Sequence, residues 1–489
     1  MQKLMRRGRR VAIGGVLSGA LAAAMAISSP AGASTAPAAN HIIVGSGSST
    51  TYNMMQALDT LFNDSLGCYM TQPSGTTQTL GFQCATANGG NQAGVSYTEN
   101  PINDVATEEP ALGSSAGVQQ LEFGGTGSDG AVPANPTAVV NYARSSRANK
   151  TSDYPGLNFV AYATDGVSFL TFPEVNGKAT PSAKVKNLTT PQLASIFQGK
   201  TKNWDKVGGT NATICVYVAQ TSSGTESTWA SNLISSGTPA LLNAYVDGLT
   251  SLNGCKTPKN VSYATSHTIF ENEAQDIVKN GDEANAIFFF SYGKYQVVCG
   301  STPATRTAQC DNNLSTTTTK TYLGSINGVA PSPTTILCDT KACSAAFPVI
   351  RDLYNVYSNG TFPVSKSAEF GFPAATPATI NYVSEIGFLC KPQLTSKGAK
   401  VVDPSTGAWY RTEITTVIKS QGFIPFPLQT RENQGSVDAS AAAVLKAESD
   451  KTYLRNDPIA GATIASNEAK TDPSGYCEVW TTDQNTAPA

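Results

Sequence analysis

The sequence predicts an α/β fold of two or more domains, on three observations. Short β-rich runs alternate with helical patterns through most of the chain. About 450 residues remain once an N-terminal leader is set aside, enough for more than one hydrophobic core. Small-residue turns also stand at three junctions between a strand run and a helix pattern, where an α/β layer puts its functional loops.

The elements follow in chain order. Arg6, Arg7, Arg9 and Arg10 precede an apolar run from Val11 to Ile27 that ends in Ala31-Gly32-Ala33. This is the pattern of a signal peptide, so residues 1–33 are expected to be removed after about Ala33, by the Sec or the twin-arginine route. The first cysteine is Cys68, so no lipid anchor through an N-terminal cysteine is expected. His41 to Val44 reads as a strand and Thr51 to Leu66 as a helix; Val139 to Tyr142 and Leu157 to Ala163 read as strands. Leu188, Leu193, Ile196 and Phe197 fall at helical spacing behind Thr189-Thr190-Pro191, a helix-start signal. Ile214 to Val218 and Ala286 to Phe290 read as buried strands. Residues 85–110, 300–321 and 359–379 are rich in Gly, Ser, Thr, Asn or Pro and read as surface insertions.

The bulk numbers exclude several classes. Charged residues make up 14% of the chain and the formal net charge is −2, so there is no basic footprint for nucleic acid. Past the leader, no stretch approaches the ~20 apolar residues of a membrane span. Ten cysteines in an exported chain argue for disulfides, and Cys68/Cys84, Cys215/Cys255, Cys299/Cys310, Cys338/Cys343 and Cys390/Cys477 are the pairs to test. With only two histidines, His41 and His267, and scattered cysteines, no zinc site and no cofactor is expected.

The three turns are Gly45-Ser46-Gly47-Ser48-Ser49-Thr50, Gly113-Ser114-Ser115-Ala116-Gly117 and Thr221-Ser222-Ser223-Gly224-Thr225. Each offers backbone N–H groups and hydroxyls at a helix N-terminus, the arrangement that receives an anion. Singly, each also fits ordinary helix capping. Their order carries more. Together with Asn187-Leu188-Thr189-Thr190, Ile196-Phe197-Gln198-Gly199-Lys200, Asn203-Trp204, Ala286-Ile287, Phe290-Ser291-Tyr292-Gly293 and Gly422-Phe423-Ile424-Pro425-Phe426-Pro427, they resemble the phosphate-binding proteins (PstS-like) of Pst-type ABC importers.

That resemblance covers most of the mature chain and implies a two-lobed type 2 periplasmic binding fold, each lobe a mixed sheet flanked by helices, joined by two crossover strands. It implies lobe 1 over 34–165, lobe 2 over 166–288, a return to lobe 1 over 289–464 and a tail over 465–489. It implies ligand contacts at Ser49, Thr50, Ser114, Ser223, Gly224 and Thr225, and a structural role for Trp204. Two charged contacts of the family are missing, because Ala219 stands where it has Arg and Ser145 where it has Asp. Arg144, beside Ser145, is the candidate replacement cation, with surface ion pairs as the alternative for it and for Arg147. Asp165, at the expected crossover, is the candidate proton acceptor, with a plain Asp-Gly turn as the alternative.

The function so implied is capture of phosphate or a similar tetrahedral oxyanion outside the membrane for an ABC permease, by a monomer and without enzymatic chemistry. A secreted scavenger or surface protein of the same fold is the alternative. A serine hydrolase built on Ser223 or Ser49 would have to use His267 as its base, and no Gly-x-Ser-x-Gly elbow accompanies them.

Overall fold

The computed structural model describes residues 42–65, 105–122, 140–150, 153, 156–233, 268–298, 319–337, 345–358, 375, 377–384, 387–390, 393, 400–403, 405–426, 429–430 and 474–481. The expected leader, nearly all of the three expected insertions, and His267 lie outside them. The described residues all belong to one compact unit, Pro37–Ala489.

The first half opens with β1 (Ile42–Gly47), α1 (Tyr52–Asn63), β2 (Val105–Ala111), α2 (Ser114–Glu122) and β3 (Tyr142–Ser145). β1 pairs in parallel with both β2 and β3, so their carboxyl ends and the starts of α1 and α2 share one edge. β4 (Leu157–Val175) follows and is 19 residues long, far beyond the strand expected over 157–163. Its first half pairs antiparallel with β13 (Ile350–Ser358), giving the order β2-β1-β3-β13-β4. Alternation along β4 sends Phe159 and Ala161 into one apolar cluster and Val160 and Tyr162 into another, so this sheet is covered on both faces.

Past Gly166, β4 enters a different core. There it pairs with β10 (Ala286–Ser291), which also pairs in parallel with β7 (Cys215–Val216). Around them lie β5 (Lys178–Ala179), β6 (Asn187–Leu188), α3 (Thr190–Phe197), β8 (Val218–Ala219), α4 (Gly224–Leu233), β9 (Thr268–Ile269), α5 (Gln275–Asn280), α6 (Tyr292–Val298), β11 (Lys320–Leu323) and β12 (Ser325–Ile326). α3 begins as the sequence predicts: the Thr189 hydroxyl accepts from Gln192 N, the Gln192 side chain reaches back, and Pro191 lies in the first turn. All six residues of β10 are buried, and Phe289 packs on Phe197 and Trp229. Trp204 is also buried, and its indole N–H donates to Asn285 O at 3.2 Å, the structural role expected for it.

This second core is drawn from Val167 to Ile350, with Ile424 added from later in the chain. The expected segment boundary at 288/289 lies inside it: β10 and α6 stay with this core, and the chain returns to the first core in β13. Two strands, β4 and β13, thus pass side by side between the cores, crossing at Asp165-Gly166 and Ile350-Arg351. α7 (Pro377–Val383) and α8 (Tyr410–Ser420) complete the first core, where Cys390 is bonded to Cys477 as expected, while β14 (Ile424–Pro425) pairs with β4 at Thr164 and Ala163 and places Ile424 in the second core. Cys215 is disulfide-bonded as well, to a residue outside the described set. Part of the expected tail, Glu478–Thr481, pairs with β4.

Candidate functional site

The carboxyl ends of β1, β2 and β3 meet the N-terminus of α4 from the other core. Gly47 makes the first turn: its φ is +118°, and a Cβ there would lie 2.5 Å from the Arg144 carbonyl oxygen. Beyond it, Ser48 N donates to Arg144 O at 3.0 Å, and the Ser48 hydroxyl donates to Ser146 Oγ at 3.0 Å. Ser114 Oγ lies 3.1 Å from Ser146 Oγ and accepts from Ser146 N at 2.9 Å. Ser222 comes from the second core: its carbonyl oxygen accepts from Ser115 N at 3.0 Å and its Oγ donates to Leu112 O at 2.8 Å. Gly224 fits against this row only because it lacks a side chain. A Cβ there would overlap the hydroxyls of Ser114 and Ser146.

Donors from both cores converge on one carboxylate. Glu271, in the turn after β9 and 1% exposed, accepts from Ser49 N at 3.0 Å and Ser49 Oγ at 2.7 Å through Oε1. Its Oε2 accepts from the Ser223 hydroxyl and from Thr225 N at 3.3 Å. Two backbone N–H groups, each in the first residues around a helix start, and two hydroxyls therefore form an anion cradle in place.

Beside it lies a guanidinium. Arg351, fully buried on β13, donates to Thr225 Oγ1 at 2.8 Å, to Thr50 Oγ1 at 3.3 Å and to Ser146 O at 3.3 Å. It also forms a buried ion pair with Asp165, through Nε at 3.1 Å and Nη2 at 2.8 Å. Asp165 further accepts from Ser291 Oγ at 2.8 Å and Gly293 N at 2.9 Å. Since Arg351 and Asp165 are register partners on the two crossing strands, the cation of the site is also a clasp at the point where the cores join.

A family model described as a PBP superfamily domain matches residues 31–369. The chain belongs to the PBP superfamily. Among solved structures, an ABC-type phosphate transport receptor from Vibrio cholerae is 18% identical, with 69% of this chain and 96% of that one covered and a TM-score of 0.36. PstS from Borrelia burgdorferi is 16% identical, covering 79% and 99%, at a TM-score of 0.34. A phosphate-binding protein from Stenotrophomonas maltophilia is 14% identical, covering 79% and 91%, at 0.38.

Within this PBP-superfamily chain, Ser49, Thr50, Ser114, Ser223, Gly224 and Thr225 come together at the cleft. Arg144 does not join them. It is fully buried, but it pairs with Glu108, lies 5.1 Å from the Tyr52 ring, and donates to the carbonyls of Ser48 at 3.3 Å and Glu109 at 3.2 Å. Those carbonyls need a donor where β1 and β2 end, and they hold the guanidinium behind the turn. Burial, the main cause, brings its pKa down to about 10. Ser145 closes its own turn, accepting from Arg147 N at 3.2 Å and donating to Arg147 O at 2.7 Å. Arg147 clamps Asp153 with two bonds of 2.8 and 2.9 Å; this is an ion pair, but a buried one. Asp165 lies at the site, paired with Arg351.

Sequence reasoning missed Arg351, Glu271 and Ser146. Arg351 had a signal: it and Asp352 interrupt the apolar run Val349-Ile350 to Leu353-Tyr354 in a charge-poor chain. Glu271, between Phe270 and Asn272 and followed by Glu273, has the look of a solvated turn and had none.

Proposed function

We propose that this chain is an exported solute-binding protein that captures phosphate or a related tetrahedral oxyanion between its two cores and presents it to an ABC permease. The observation that carries this reading is the convergence of Ser49 N, Ser49 Oγ, Ser223 Oγ and Thr225 N on a single negative group, from both sides of the cleft. A tetrahedral anion in that place accepts from the same donors, and its remaining oxygens lie toward Thr50, Thr225 and Arg351. The Arg that the family motif places on the strand before Ser223 is absent at Ala219, and Arg351 on β13 supplies a guanidinium from the other crossing strand. The ordered motifs of the sequence support phosphate as the anion. Closure follows from donors being split between cores that are joined by two strands.

Calorimetric titration of phosphate-stripped mature protein tests this. Submicromolar phosphate binding is expected, weakened at least tenfold by Ser223→Ala. Absence of phosphate binding would sink the reading. Sulfate binding equal to phosphate would narrow it to an oxyanion receptor that does not read protonation.

A further inference from the structure

The cradle described above already holds a carboxylate that belongs to the chain. Three features show that Glu271 is built into that place. Its backbone N–H donates to Gln220 Oε1 at 2.8 Å, which fixes the turn to the second core. The next residue, Asn272, takes a left-handed conformation with φ +63°, a backbone region that Asn tolerates better than most residues. From there the Asn272 amide donates to Thr50 Oγ1 at 3.1 Å, and its carbonyl oxygen accepts from Ser291 N at 3.3 Å. The turn is thus anchored on both cores, and the carboxylate at its tip binds Ser49 on one side and Ser223 and Thr225 on the other.

A solute anion and Glu271 cannot share these donors. Each backbone N–H and each hydroxyl carries a single hydrogen, and two anions in contact in a buried cleft repel. The neighbouring Arg351 does not neutralise the pair, because Asp165 already engages it. Lys294 offers the displaced carboxylate a destination: it is half-buried on α6, burial lowers its pKa to about 8, and Glu271 is the foremost charge acting the other way.

We propose that Glu271 is an internal occupant of the anion cradle, latching the two cores together, and that a solute oxyanion binds by displacing its carboxylate. This rests on the reading that the cradle receives a solute oxyanion. It adds a rule of selection. A carboxylate held in place by its own turn pays no association entropy, so a free carboxylate, offering the same two oxygens, gains little by replacing it. A tetrahedral anion has further oxygens for Arg351, Thr50 and Thr225, and wins.

The test is Glu271→Ala in the mature chain, read by calorimetry with phosphate and with acetate, and by small-angle X-ray scattering with and without phosphate. The expected results are a phosphate Kd lower by on the order of tenfold, measurable acetate binding, and a radius of gyration that exceeds wild type without phosphate and contracts when phosphate is added. Glu271→Gln, which keeps the shape and loses the charge, should move in the same direction if the alanine variant does not fold. A phosphate Kd that rises or stays unchanged would overturn the proposal, making Glu271 a ligand contact or a bystander. If neither wild type nor variant binds phosphate, the phosphate reading fails, and scattering alone decides the latch: an unchanged radius in the variant refutes it.

Discussion

Replacing Arg351 with methionine removes a guanidinium that is fully buried and leaves Asp165, also fully buried, without its cation. Breaking a buried pair from one side costs ~3–5 kcal/mol, because the remaining charge is stranded. Asp165 keeps Ser291 Oγ and Gly293 N, which places the cost near the lower end. The lost contacts to the Thr50 and Thr225 hydroxyls add ~0.5–1.5 kcal/mol each. Urea unfolding followed by tryptophan fluorescence should therefore show a loss of about 4–6 kcal/mol with an unchanged slope. Asp165→Asn in the Arg351→Met background should recover at least ~2 kcal/mol, since it removes the stranded charge. Phosphate affinity should fall at least 100-fold, about 2.7 kcal/mol, in the single variant and stay low in the double. A single variant within 1 kcal/mol of wild type, or a double variant whose loss is the plain sum of the singles, would mean that Arg351 and Asp165 are not an energetically coupled buried pair.

Three further outcomes follow from other parts of the molecule. Burial raises the Asp59 carboxyl from 3.8 to about 7, against the opposing effects of the Tyr382 hydroxyl, which donates to it at 2.6 Å, and the Arg144 charge. The folded state thus holds a proton the unfolded chain releases, so this stabilisation is complete below about pH 3.8 and is lost as pH rises through 7. Asp59→Asn should gain on wild type by about 2–3 kcal/mol between pH 5 and pH 8 in urea titrations, and a constant gap would contradict this. Gly224→Ala drives a methyl group into the buried Ser114 and Ser146 hydroxyls and against the Ser146 backbone; thermal unfolding should show a loss of about 1–3 kcal/mol, and phosphate affinity should drop at least tenfold. Cys390 and Cys477 close a separation of 87 residues, so replacing both with serine should cost about 3–5 kcal/mol on the chain-entropy estimate, measured under non-reducing conditions.

The parts of this protein that local chemistry specifies were legible in its residues. The capping pattern at Thr189 set the start of α3, the apolar run at Ala286 set β10, and the three small-residue turns gave six of the residues at the cleft. What escaped depends on contacts distant in sequence. Arg351 meets Asp165 from 186 positions away and Glu271 meets Ser49 from 222, so the break that Arg351 makes in an apolar run does not reveal its partner, and Glu271 leaves no local mark at all. Arg144 had the right neighbours in sequence, yet strand pairing directs it to the carbonyls behind the turn and to Glu108. Likewise β4 looks like an ordinary strand up to Ala163, and only its partners β13 and β10 show that it continues from one core into the other.

Whether one oxyanion is held by donors from both cores can be seen in a crystal structure of the mature protein grown with phosphate. Tetrahedral density is expected within hydrogen-bonding distance of Ser49 N, Ser223 Oγ, Thr225 N and the Arg351 guanidinium, with the Glu271 carboxylate moved toward Lys294. Phosphate bound away from these groups, or a cleft still filled by Glu271 at saturating phosphate, would contradict a site shared by both cores.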